Sequence, residues 1–176
     1  MSNIAKLAYI AVSSREPSAL HKLLSECLQL NHFSLDTPDG AIAAYGIGNT
    51  ALAVFPAGSA FLSNDKPGVD HLAFATKNAE EAASLFISDA KHSSGINGMR
   101  QFEVPEELTQ GVFSRFTPMT ELQGNSTEFV ERMDHIGIAS NNNIIAESIF
   151  AGKLGLPVES RQTDMEVKVS MESFTS

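Results

Sequence analysis

A repeat is what most limits the fold of this chain. Val69–Phe86, VDHLAFATKNAEEAASLF, lies over Met133–Phe150, MDHIGIASNNNIIAESIF, without a gap and at a constant offset of 64 residues. Asp, His, Ala, Asn, Ala, Ser and Phe coincide, and most other pairs keep their apolar or polar character. A weaker copy, LAYIAVSSREPSALHKLL, begins at Leu7 and sets Tyr9 where the others have His71 and His135. A period of about 62 to 64 residues points to one supersecondary unit used repeatedly, each copy burying its apolar face against a neighbour. The expected units are 1–66, 67–131 and 132–176.

Each copy opens with an apolar, β-rich run, stops at a polar turn and continues with helical spacing. In the first, Leu20, Leu23, Leu24 and Leu28 share one helical face and Pro17 stands where a first-turn proline is tolerated, which predicts a helix over 17–30. HFSLD, AIAAYGI and TALAVF follow as short strands, separated by the turn sequences TPDG and GNT. The unit reads β-α-β-β-β, and the polar stretch 57–66 connects it to the next. In the second unit we expect a helix near 79–90, a loop at KHSSGING, and strands in MRQFEV, GVFSRF and STEFVERM. The third should have a strand at Met133–Ser140, a helix ending near Lys153 with GLP as its stop, and strand material in MEVKVSMESF. On this period the third unit would continue for about 20 residues more, so the chain reads as the N-terminal part of a longer protein.

Composition narrows the function classes. With 43% hydrophobic and 19% charged residues the chain can bury a core rather than remain disordered. A net charge of −9, with no Lys/Arg cluster, argues against a nucleic-acid partner. No apolar run reaches the roughly 18 residues of a membrane span, so no membrane partner is expected. Cys27 is the only cysteine, which rules out an internal disulfide and fits a cytoplasmic setting. YGIGNT lacks the lysine and following helix of a phosphate loop and reads as a hairpin turn.

DHIGIAS at 134–140, KLGLPVESR at 153–161 and the junction GNTALAVFPAG…FLSNDKPGVDHLAFATKN resemble the vicinal oxygen chelate superfamily, which includes glyoxalase I, bleomycin-resistance proteins, methylmalonyl-CoA epimerase, extradiol dioxygenases and 4-hydroxyphenylpyruvate dioxygenase. The resemblance spans nearly the whole chain. It implies an α+β fold of tandem βαβββ modules forming a cupped mixed sheet, with the third module incomplete. It also implies a divalent metal (Fe, Mn, Zn, Co or Ni) held by histidines on first strands and a carboxylate or amide on last strands. Carried over residue by residue, the metal candidates are His71, His135 and Glu131, with Glu128 the alternative to Glu131 because strand neighbours face opposite sides. The first unit offers only Tyr9 and Ala53 at those positions. Imidazole and carboxylate suit a borderline divalent ion that acts as a Lewis acid on a substrate with two oxygens.

Each candidate also has a structural reading. His71 can simply bond its neighbours and pack, and His135 belongs to a different unit from His71, so a shared ion is not implied. Tyr9 is a core aromatic or a cup-lining hydroxyl. His21, His32 and His92 read as solvated, and Cys27 as a small buried hydrophobe. Phe55, Phe61, Phe74, Phe102, Phe113, Phe116 and Phe129 supply core packing or an apolar cup lining. Three functions follow from the resemblance: the N-terminal portion of a four-module dioxygenase, a glyoxalase- or epimerase-like enzyme working through a metal-stabilised enolate, or a metal-free small-molecule binding protein. A small-molecule substrate and a homodimer are the expected partners.

Overall fold

The computed structural model describes residues 5–118, 122, 126–164 and 169–174. Two copies of the β-α-β-β-β unit build one sheet. The first comprises β1 (Lys6–Ser14), α1 (Pro17–His21), β2 (His32–Thr37), β3 (Gly40–Ile47) and β4 (Thr50–Pro56). The second comprises β5 (Gly68–Thr76), α2 (Ala79–Ser84), β6 (His92–Ser94), β7 (Arg100–Val104) and β8 (Ser114–Pro118). The sheet order is β2-β3-β4-β1-β5-β8-β7-β6. The first strands of the two units, β1 and β5, are antiparallel neighbours, while each pairs in parallel with the last strand of its own unit. This is the cupped mixed sheet that the family resemblance implied.

Strand alternation gives the sheet two faces. Leu7, Ile10, Leu72, Phe74 and Phe116 point to the outer, helix-bearing face. Tyr9, Ala11, Ala53, Phe55, Ala73 and Ala75 point into the cup. The alanines of the cup face leave room for larger groups, and Phe55 and Phe116 are wholly buried, each burial stabilising by roughly 2–3 kcal/mol. The two outer ends of the sheet approach one another. Ile96 and Leu35 pack together in the cup, and the Asp36 amide donates to the Asn97 side-chain oxygen at 3.0 Å.

The helix expected over 17–30 divides. Pro17 starts α1, but Lys22–Cys27 is wound as a π-helix, closed by Leu28 N donating to the Leu23 carbonyl at 3.0 Å. The wider turn buries Leu24 and leaves Leu23 half exposed, and Cys27 is exposed rather than buried as expected. KHSSGING is not wholly a loop, because its His92–Ser94 pairs with β7.

The third copy keeps the helix and loses the strand. Asn78 and Asn142 cap α2 and α3 (Asn143–Glu147) identically, each accepting from an amide three residues on at 3.1 Å. Ser84 and Ser148 donate back to carbonyls three residues earlier at 2.7 and 2.8 Å. A π-turn at Ser148–Lys153 repeats that of the first unit, with Leu154 N donating to the Ile149 carbonyl at 3.1 Å. Met133–Ser140, expected as a strand, instead lies in no ladder, and neither does STEFVERM, which bends at Glu128–Phe129 with the Thr127 amide donating to the Val130 carbonyl at 2.7 Å. Extended backbone becomes a strand only beside a partner, and the neighbours of β1 and β5 are already supplied by β4 and β8. The Asn49 amide takes a strand's part, accepting from Met133 N at 3.2 Å and donating to its carbonyl at 3.3 Å. Val158–Asp164 (β9) and Val169–Phe174 (β10) form an antiparallel pair; β10 lies in the expected MEVKVSMESF, whose first four residues are outside the described ones.

Candidate functional site

The cup centre is set by register. Across β1, β5, β8 and β7 one row reads Tyr9, Ala73, Arg115, Glu103, and the adjacent row places His71 beside Ala11. Ala73 is too small to separate its neighbours, so Tyr9, His71 and Arg115 converge above it. His71 Nδ1 lies 2.6 Å from Asp70 Oδ1. Asp70 is an acceptor, which assigns the proton to Nδ1 and leaves Nε2 as an acceptor aimed into the cup. Tyr9 OH and Arg115 Nη1 each approach Nε2 at 3.4 Å.

The connector between the units closes over these groups. Arg115 Nη2 donates to the Phe61 carbonyl at 2.6 Å, and its guanidinium lies over the Phe61 ring at 4.3 Å. Glu103 faces the same Nη2 at 3.4 Å. Asp70 accepts from the Ser63 amide at 3.0 Å and the Ser63 hydroxyl at 2.8 Å, while Asp39 accepts from Phe61 N at 2.8 Å. Phe61 stacks on Phe55 inside the cup.

Burial sets the ionisation states. It pushes the His71 pKa down to about 4; the Asp70 hydrogen bond opposes this and the Arg115 charge adds to it. Burial also pushes the Tyr9 phenol up to about 12, against the pull of Arg115. It works to raise Asp70 too, but hydrogen bonds from His71 and Ser63 outweigh it and hold the carboxyl low. At neutral pH His71 is therefore a neutral imidazole, Tyr9 a phenol and Asp70 a carboxylate, beside the Arg115 guanidinium.

Hollows also lie outside the cup. A cavity of about 70 Å³ is lined by Leu7, Leu72 and Phe74 of the outer face and by Ile136, Ile138 and Phe150 of the third unit, which pack against one another around it. An open groove of about 710 Å³ runs between α1 and β3–β4, where His21 Nδ1 is bonded to Tyr45 OH at 2.6 Å and is therefore only partly solvated. His32 and His92 are exposed, but both are strand residues.

Known structures share this architecture. A hypothetical protein, BH1468 from Bacillus halodurans C-125, superposes with a TM-score of 0.56 at 18% identity, over 69% of this chain and 99% of its own. Methylmalonyl-CoA epimerase from Mycobacterium tuberculosis does so with a TM-score of 0.56 at 12% identity, over 68% of this chain and 92% of its own. BphC, a halotolerant catechol dioxygenase, matches 98% of this chain and 61% of its own, with a TM-score of 0.65 at 13% identity. The chain has the vicinal oxygen chelate fold. No protein-family model matches the sequence, and no curated protein matches it.

Within the vicinal oxygen chelate fold the expected ligands are dispersed. His71 is buried in the cup, whereas His135 and its bonded neighbour Asp134 each have side chains 71% exposed. Hydrogen bonds from His135 and Arg132 hold the Asp134 carboxyl low. Glu131 and Glu128 are exposed as well, and Phe129, counted among core or cup aromatics, is 60% exposed. No cluster of three His, Cys, Asp or Glu side chains arranged for a metal occurs among the described residues. The donors around His71 do not fit a divalent ion. Its free nitrogen already receives two donors, one of them cationic, and the phenol is held protonated. Sequence reasoning missed Asp70, Arg115 and Glu103. The signal for Arg115 was present in GVFSRF: alternation puts this arginine on the face opposite Phe116, the inward one.

Proposed function

We propose that this chain supplies the N-terminal pair of modules, and the opening of a third, to a metal-dependent dioxygenase of four-module type. In this reading the first cup is scaffold. The superposition on BphC carries the proposal, because it runs through the third unit to 98% of this chain, whereas the epimerase and BH1468 match 68–69%. The repeated Asp-His and cap hydrogen bonds of the third unit support a second, later cup. A glyoxalase- or epimerase-like reading would need an enolate held on a metal at His71, and the donors there oppose it.

The test is oxygen uptake with a catechol after iron(II) reconstitution, with metal content measured by mass spectrometry, in the full gene product. We expect iron-dependent uptake that survives His71→Gln and is lost in His135→Ala. Metal and activity lost in His71→Gln alone would overturn the proposal. So would a reconstituted protein that holds no iron.

A further inference from the structure

We infer that Arg115 is the resident cation of this cup: its guanidinium occupies the coordination side of His71, and the first module pair is built to hold its fold without a metal. This holds whether or not the dioxygenase reading does.

Three observations combine. The first is position. An imidazole binds a divalent ion at about 2.1 Å through its lone pair. On His71 that lone pair is Nε2, and Arg115 Nη1 and Tyr9 OH already converge on it at 3.4 Å. The second is immobility. Arg115 is 4% exposed, bonded through Nη2 to the Phe61 carbonyl and flanked by Glu103. It is also packed against the Phe61 ring and, at 5.6 Å, the Phe113 ring. Moving it aside would break a charge-assisted bond and unseat the connector.

The third is charge. Asp70 and Glu103 put two carboxylates around the cup centre, a demand for positive charge that a metal ion would ordinarily meet. The guanidinium meets part of it permanently, since it does not deprotonate in proteins. A divalent ion added beside it would face a fixed like charge in a poorly screened interior. The register shows why the arginine reaches: Arg115 and Glu103 are cross-strand partners, and His71 lies one diagonal step away across β5 and β8.

Cobalt(II) titration of the whole chain tests this, read by visible absorption and by paramagnetic shifts of the His71 ring, with His71→Ala as reference. The wild-type protein should show no His71-dependent cobalt signal and no change in unfolding temperature with cobalt or EDTA. Arg115→Gln removes the charge at similar size. It should gain a cobalt signal at least tenfold tighter than wild type, and that gain should vanish in Arg115→Gln/His71→Ala. A His71-dependent signal in the wild type would overturn the inference, as would a folded Arg115→Gln protein with no gain. Should Arg115→Gln not fold, the wild-type titration decides alone.

Discussion

Replacing His71 by glutamine should remove a specific pH dependence from the stability of this protein. An exposed histidine titrates near 6.5, whereas burial holds His71 near 4. Below pH 6.5 the unfolded chain takes up a proton that the folded chain cannot accept until about pH 4. Stability therefore falls as pH falls through this window and is unaffected by this group above it. Each pH unit is worth about 1.4 kcal/mol, so the loss is roughly 2 kcal/mol by pH 5 and roughly 3 kcal/mol by pH 4. Asp70 acts elsewhere: its lowered carboxyl contributes stability that is fully present above the ordinary carboxylate range and is lost as pH falls from there through its own depressed value. Urea unfolding of the wild type and His71→Gln between pH 7.5 and 4.5 isolates the effect in the slope, whatever the variant does to absolute stability. Parallel curves would refute the reasoning, because they would mean that the His71 ring protonates in place and the cup is not sealed.

Other perturbations have expected sizes. Gly48 has φ +46°, and a Cβ there would meet the Glu131 carbonyl and Arg132 Cα, so Gly48→Ala should cost about 1–3 kcal/mol and speed hydrogen exchange over 131–138. Asn78→Ala and Asn142→Ala should each cost about 1 kcal/mol in chemical denaturation; a loss confined to one site would show that the matching caps are not equivalent. Phe116→Ala, in the wholly buried stack with Phe74, should cost about 3–5 kcal/mol, and a loss under 1 kcal/mol would contradict the packing described.

Periodicity made the sheet legible. The apolar runs around Tyr9, Ala53, His71 and Phe116 were legible as strands, and Pro17 marked a real helix start, as the structure has them. What escaped was whatever depends on a distant partner. Met133–Ser140 has a strand's composition but no ladder, and nothing local says so. The π-turn after α1 follows from where Leu24 and Leu30 must be buried, which propensity does not encode. At the site, the Asp-His repeat drew attention to His71, which the structure places in the cup. Its meaning depended on Arg115, 44 residues on, which is brought to it only by the parallel pairing of β5 and β8.

The connector between the first two units has a consequence for assembly. A sheet made of two similar halves invites exchange, in which the first half of one molecule completes the second half of another. Whether that happens depends on whether the linking segment folds back or extends. Here Asp39, Asp70 and Arg115 hold residues 59–63 folded back, one of these side chains coming from the first half and two from the second. These three charged side chains, two in the cup and one in the β2–β3 turn, thus act as a latch against domain swapping, keeping each half paired with the one on its own chain.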